Sequence, residues 1–143
     1  MPQIMAAANI PYVATAAESN PADFMKKAAK AAYYAKNEGT AYLKALSSCP
    51  LNWNDNPATE RKVIEAAVDC CYFPLYEVEH GKTKLNYNPK ASDKAISVAK
   101  WLGMMGRTKH LIKEEYADIV SELQDEIDNR FQKLVAKSEN KYL

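Results

Sequence analysis

Glycine is scarce in this chain, at 4 of 143 residues, and nothing in it resembles a glycine-rich loop that cradles phosphate. Histidine is scarcer, at 2, and neither a zincin helix nor a hydrolase elbow is present. Cys49, Cys70 and Cys71 are the only cysteines; they make no CxxC pair, and neighbours such as Cys70 and Cys71 do not easily bridge each other. That odd, unpaired set fits a reducing cytoplasm. No stretch approaches the roughly 20 apolar residues that cross a bilayer. The opening MPQIMAAA lacks the basic and long apolar regions of a secretory signal. Charge of one sign is lacking too: 19 basic against 18 acidic side chains leave +1, with no run of Lys or Arg. Nucleic acid and membrane are therefore not expected as partners.

What is present is an ordinary globular composition, 48% apolar and 26% charged, of a length that suits one domain over residues 1–143. Residues 10–16 (IPYVATA) are a short apolar run rich in β-formers and predict a buried strand. Asn20-Pro21 then predicts a helix start, with Pro21 at a position that needs no amide donor. The helix runs to about Asn37, with Phe24, Ala28, Ala31 and Ala35 along one face and Lys26, Lys27 and Lys30 towards water. Residues 40–46 (TAYLKAL) predict a second buried strand, so strand, helix and strand make a parallel βαβ unit of an α/β sheet.

Residues 47–57 read as a loop, followed by a helix over 59–71 that sets Val63, Ala66, Ala67 and Cys70 at core spacing. Alternating polarity over 75–79 and 84–87, about His80-Gly81, is a hairpin signature. Ser92 or Asp93 is expected to cap a helix reaching about Leu102, and Gly103 and Gly106 frame a turn. A last helix, from about Lys113 to Ser138, carries Tyr116, Ile119, Val120, Leu123, Ile127, Phe131 and Leu134 at spacings of three and four.

Cys49 is the residue with most chemical potential, since it follows a parallel strand at the end of the sheet where ligands bind. A thiolate there can ligate iron or zinc or act as a nucleophile, although a single loop cysteine is often an ordinary one. Cys70 and Cys71 read as small buried apolar residues, and Trp53 and Trp101 as packing residues. His80 and His110 read as polar surface groups. The turn with Arg107, Lys109 and His110 has two readings, a clamp for phosphate or an acidic partner, or a solvated turn. The long last helix is either a coiled-coil arm or, more simply, a helix packed on its own domain.

Several segments together resemble the C-terminal half of the thiamine-diphosphate-binding β subunit of pyruvate:ferredoxin and related 2-oxoacid:ferredoxin oxidoreductases. IPYVATA at 10–16 is similar to the family's GIPYVATA, and SCPLNW at 48–53 to its PCPTGW loop. FPLYEVEHGK at 73–82 resembles WPLYEVENGK, with KLNYNP at 84–89 after it, and residues 102–111 resemble YLKLQGRFRHL. The resemblance covers residues 2–135 or so in the family's order and spacing. It departs at Asn9, at Leu51-Asn52 and at Met105 and Thr108, where the family has Gly, Thr-Gly, Gln and Phe.

The fold this implies is the C-terminal part of a thiamine-diphosphate-binding α/β domain: a parallel βαβ unit, then a hairpin and C-terminal helices. The complete family enzyme decarboxylates a 2-oxoacid on thiamine diphosphate held with Mg²⁺. It passes electrons through [4Fe–4S] clusters to ferredoxin and transfers the acyl group to coenzyme A. Carried over residue by residue, the resemblance makes Cys49 one ligand of the cluster nearest the thiamine. The other cluster cysteines and the thiamine motifs lie upstream in the family, so neither cofactor is expected on this chain alone. The partners implied are the remaining half of the β subunit and the other subunits, with the sheet edge left open for upstream strands. Two other readings accompany this one: a non-catalytic interaction module that kept the fold, and a component acting on a branched-chain or aryl 2-oxoacid.

Overall fold

The computed structural model of the chain describes residues 1–140. Its centre is β1 (Tyr12–Ala17), a strand with every residue buried, as its apolar composition requires. β1 pairs in parallel with β2 (Ala41–Leu46), Tyr12 opposite Ala41 through to Ala17 opposite Leu46, and α2 (Pro21–Asn37) makes the crossover. The expected βαβ unit is therefore present. On its other side β1 pairs antiparallel with β3 (Tyr76–Glu79), which forms a hairpin with β4 (Lys82–Leu85), so the sheet order is β2-β1-β3-β4. His80 and Gly81 join β3 to β4 with φ of 46° and 79°. Two positive values are what a mirror-image two-residue turn demands, and its twist matches that of the strands.

Side chains alternate across the sheet. Tyr12, Ala14 and Leu43 meet α2, while Val13, Tyr42 and Tyr76 face the opposite layer. That layer holds the short helix α1 (Pro2–Ala7), the helix α4 (Glu60–Asp69), a one-turn helix α5 (Val98–Gly103) and the long α6 (Ala117–Glu139). The largest apolar cluster lies between α4, α5 and α6, where Val63, Ala67, Val98, Leu102, Ile127 and Phe131 pack together. The long helix thus packs on its own domain. It also closes the β4 edge, where the Leu85 amide donates to Ser138 Oγ at 3.0 Å. Among the described residues no strand lies beyond β2, so that edge has no partner strand among them.

Several local expectations shift. Residues 50–53 of the expected loop form one helical turn, α3 (Pro50–Trp53), and α1 had no expected counterpart. Ser92 does not cap α5; its hydroxyl donates back to the carbonyls of Asn88 and Pro89, and Asp93 is left-handed at φ 54°. Ser97 is the cap instead, accepting from the Lys100 amide at 3.3 Å. Asn20 does not bond a helix amide either, because its side chain accepts from the Ser19 hydroxyl. A 3₁₀ turn, Glu114–Tyr116, occupies the expected first turn of the last helix, a second, Lys109–Ile112, precedes it, and Ile119 is exposed.

The largest correction concerns α2. Lys27, expected in water, is 1% exposed, and Lys30 is half-buried. The register of β1 with β3 ends at Ala14, and beyond it the Thr15 carbonyl accepts from Lys27 Nζ at 2.8 Å. Asp23, one turn earlier, accepts from the same ammonium at 2.7 Å. Burial pushes the Lys27 pKa down, and Asp23 opposes that shift. Lys30 turns towards the hairpin and donates to Glu77 and Glu79. With the lysines turned to the sheet, Ala28 and Ala35, expected in the core, stand exposed on the helix flank.

Candidate functional site

Cys49 lies just past the carboxyl end of β2, in a segment whose backbone is fixed from several sides. The Glu18 amide donates to the Leu46 carbonyl at 3.1 Å, and the Glu18 carboxylate accepts from the Ser48 amide at 3.2 Å. Cys49 is the residue before α3, its carbonyl accepting from the Trp53 amide at 2.9 Å, and Pro50 fills the first helical position where no donor is needed. Cys49 is exposed, as is its neighbour Leu51 at 96%. Trp53 anchors the other end of the turn by packing against the core.

The far side of this loop rests on the turn after α5. The Gly106 amide donates to the Asn54 carbonyl at 3.0 Å, and the Arg107 amide to the Trp53 carbonyl at 3.2 Å. The Arg107 guanidinium donates to Asn52 Oδ1 at 3.2 Å. A Cβ at Gly106 would lie 2.5 Å from the Asn54 oxygen, so the close approach needs glycine there. The structure therefore joins Cys49 and the Arg107 turn, which the sequence separates by more than fifty residues. One Arg107 donor is thus used within the chain, on the cysteine loop, and the residue is otherwise exposed. Sequence reasoning missed Glu18 and Gly106 as parts of this site. Next to the loop, both Asp55 carboxylate oxygens are buried without a hydrogen-bond partner among the described residues.

The other sulfur and nitrogen groups lie elsewhere. Cys70 and Cys71 are buried at the end of α4, Cys71 beyond the helix with φ 61°. Burial pushes their thiols up to about 12 and about 11, which makes them poor ligands or nucleophiles. His80 pairs with Glu38 at 3.1 Å, and His110 packs edge-on against Tyr116. Among the described residues, no three Cys, His, Asp or Glu side chains gather in a metal-binding group. Cys49 accordingly presents one accessible thiol on a loop held by backbone bonds from both sides. Among the described residues no helix is long and apolar enough to cross a membrane.

A second polar assembly holds the hairpin to α2. Glu77, 4% exposed, accepts from Tyr12 Oη at 3.1 Å, Lys30 Nζ at 3.0 Å and Asn86 Nδ2 at 3.1 Å. Burial alone would raise its pKa, but the bonds from Lys30, Asn86 and Tyr12 hold it below the usual carboxylate value. Tyr12 in turn stacks on Tyr34 with ring centroids 5.1 Å apart, and Tyr34 Oη donates to Glu79 at 3.2 Å. The Glu77 carboxylate is paired on both oxygens, whereas Asn86 Oδ1 is buried without a hydrogen-bond partner among the described residues.

No family model matches the chain. Individual proteins do. It is 37% identical over 130 residues to pyruvate synthase subunit PorB of Methanocaldococcus jannaschii, covering 91% of this chain and 40% of that protein. It is 33% identical over 138 residues to the PorB subunit of Thermotoga maritima, covering 96% of this chain and 41% of that protein. Ketoisovalerate oxidoreductase subunit VorB of Pyrococcus horikoshii is 37% identical over 113 residues, 78% of this chain and 35% of that one. The chain thus spans about two fifths of the length of the curated relatives it matches. With this agreement over nearly its whole length, the chain belongs to the family of 2-oxoacid:ferredoxin oxidoreductase β subunits.

Proposed function

We propose that this chain is one component of a cytoplasmic pyruvate:ferredoxin oxidoreductase, forming the C-terminal part of a β-subunit domain and supplying Cys49 as a ligand to a [4Fe–4S] cluster. The observation that carries this reading is the exposed Cys49 thiol, fixed by Glu18 and by the Gly106 turn at the carboxyl end of a parallel strand. Four cysteine thiolates hold such a cluster, so the remaining ligands come from the rest of the β subunit. Thiamine diphosphate with Mg²⁺, also held there, supplies the ylid chemistry of oxidative decarboxylation, with ferredoxin and coenzyme A as acceptors of electrons and acyl group.

Within that scheme the residues of this chain act by positioning. Cys49 would hold the cluster through its thiolate sulfur, and the bond from the Ser48 amide to Glu18 ties the loop beside it. Trp53 and Leu51 present apolar surface beside it, which lowers solvent access when a partner covers the loop. A branched-chain 2-oxoacid as substrate is a second reading, supported by the 37% identity to the ketoisovalerate subunit VorB.

The test is anaerobic co-production of this chain with the rest of a β subunit, comparing wild type with Cys49→Ser. Iron near four atoms per complex, with a visible absorption band and pyruvate-dependent ferredoxin reduction that all fall in the variant, is the expected result. A stable complex whose iron and activity ignore the substitution would refute the role of Cys49. A stable complex without iron in either form would favour an interaction module that kept the fold.

A further inference from the structure

We propose that a cavity on the α6 side of the sheet binds a small phosphomonoester built on one flat apolar ring. Lys44 and Arg130 hold its phosphate, and Tyr72 and Phe73 hold its ring. The cavity measures about 200 Å³ and lies where α1, the middle of β1 and β2, the turn after α4 and the body of α6 meet. None of its lining residues belongs to the segment 47–57 that carries Cys49, so the two assignments are tested separately.

Charge is the first observation. Two cations, Lys44 and Arg130, line the cavity, and among the described residues no acidic side chain does. Elsewhere on the sheet the lysines are matched: Lys27 pairs with Asp23, and Lys30 and Lys84 face Glu77. Lys44 pairs with no carboxylate of the described residues; its ammonium sits over the Phe73 ring, 5.6 Å from the centroid. Arg130 meets Glu126 only through Nε, at 3.8 Å, which leaves both terminal nitrogens uncommitted. Two like charges gathered at one cavity favour an anion between them. A phosphate monoester carries about −1.5 to −2 at neutral pH with three acceptor oxygens, which matches a lysine and an arginine together better than the single charge of a carboxylate.

The second observation is that the walls are fixed by the chain itself. Thr15, 4% exposed, stands opposite Lys44 in the register of β1 with β2. Its hydroxyl donates to the Pro74 carbonyl at 2.7 Å and accepts from the Tyr76 amide at 3.0 Å, tying the turn after α4 to the strand. That turn is made at Cys71, a residue other than glycine at φ 61°, and the Phe73 amide closes it on the Ala67 carbonyl at 3.0 Å. A left-handed cysteine is uncommon and persists where its surroundings over-determine it. Its effect here is a change of chain direction that brings Tyr72 and Phe73 together to border the cavity. Tyr72 is 43% exposed, yet its ring is held 4.5 Å from the ring of Trp101.

The third observation is the pairing of surfaces. Cations on β2 and α6 face aromatic rings on the turn, so a ligand that uses the whole cavity has one charged end and one flat apolar end. A volume of about 200 Å³ has room for a phosphate and a single ring, and lies below the ~300–1,000 Å³ of pockets that enclose larger ligands.

The probe is phenyl phosphate, titrated calorimetrically at low salt into the 143-residue chain beside inorganic phosphate, benzoate and phenol. Phenyl phosphate should bind at one site about tenfold or more tighter than each of the others, because each comparison removes the ring or part of the charge. Lys44→Gln and Arg130→Gln should each weaken it about fivefold or more, a loss moderated by the solvent that reaches both side chains. Lys133→Gln, on α6 outside the cavity, should leave it unchanged. All three positions are exposed, and circular dichroism checks that each variant keeps the fold. A measurement on the wild type alone stands beside the variants: amide resonances of Thr15, Lys44 and Phe73 should shift during the titration, and those of the His80-Gly81 turn should not. No binding below about 10 mM, equal binding of inorganic phosphate or phenol, or indifference to both substitutions would overturn the site. Resonance shifts confined to other segments would overturn it as well. Benzoate bound as tightly as phenyl phosphate would overturn the phosphate class.

Discussion

Replacing Glu77 by glutamine isolates the charge that fastens the hairpin to α2. Shape is nearly conserved, so the loss is electrostatic and geometric. The carboxylate accepts from Lys30, Tyr12 and Asn86, and in the variant one of these donors must face an amide NH₂ instead of an oxygen. Charge-assisted hydrogen bonds contribute about 1.5–3 kcal/mol each, and breaking a buried pair costs about 3–5 kcal/mol. Lys30 is 42% exposed in its side chain and can return to water, which discounts the upper figure. A loss of about 2–3 kcal/mol follows, or roughly 6–12 °C in Tm for a domain of this size. Circular dichroism melts and urea titration at pH 7 measure it. The pH dependence carries a second check. The folded pKa of Glu77 is depressed, so its stabilisation is fully present above the unfolded carboxylate value near 4.5 and is lost as pH falls through the folded value. The gap between wild type and variant should therefore narrow below about pH 4.5. A gap under about 0.5 kcal/mol at neutral pH, or one that widens in acid, would refute the reasoning.

Gly106→Ala should cost about 1–3 kcal/mol by pushing the turn off Asn54, and hydrogen exchange at Gly106 and Arg107 should quicken; unchanged exchange would mean the contact is not needed. Thiol titration of the native chain should modify Cys49 alone, with Cys70 and Cys71 reacting on unfolding; fast reaction of all three in the native state would contradict their burial and raised pKa values. Ser97→Ala should lower stability by about 1 kcal/mol, while Ser92→Ala costs less, and equal effects would undo the assignment of the cap.

Element type was legible wherever a local pattern decides it. The β1 run, the turn at His80-Gly81, and the Ile127, Phe131 and Leu134 stripe of α6 each declare themselves within a few residues. Caps were less legible, because Ser92 and Ser97 are equally good capping residues and the choice depends on which hydroxyl the Asn88–Pro89 turn captures first. The position of Cys49 beyond a parallel strand was legible from element order. Its fixing by Glu18 and by the Gly106 turn was not, since those contacts close between distant segments and leave no periodic trace.

The facing of α2 is the instructive failure. Hydrophobic periodicity assigns the alanines to the core and the lysines to water; in the structure Lys27 and Lys30 turn inward and Ala28 and Ala35 stand exposed, while Ala31 packs inward and Lys26 stays in water as expected. Lys27 goes inside because β1 and β3 separate after Ala14 and leave a carbonyl that needs a donor, and Lys30 follows because Glu77 and Glu79 stand on the next strand. Both partners lie far along the chain or in its backbone, where no helical pattern can register them. The alanine stripe is nonetheless a real signal. A helix that leaves Ala28, Ala32 and Ala35 exposed beside a strand with no outer neighbour among the described residues has the composition of an interior helix.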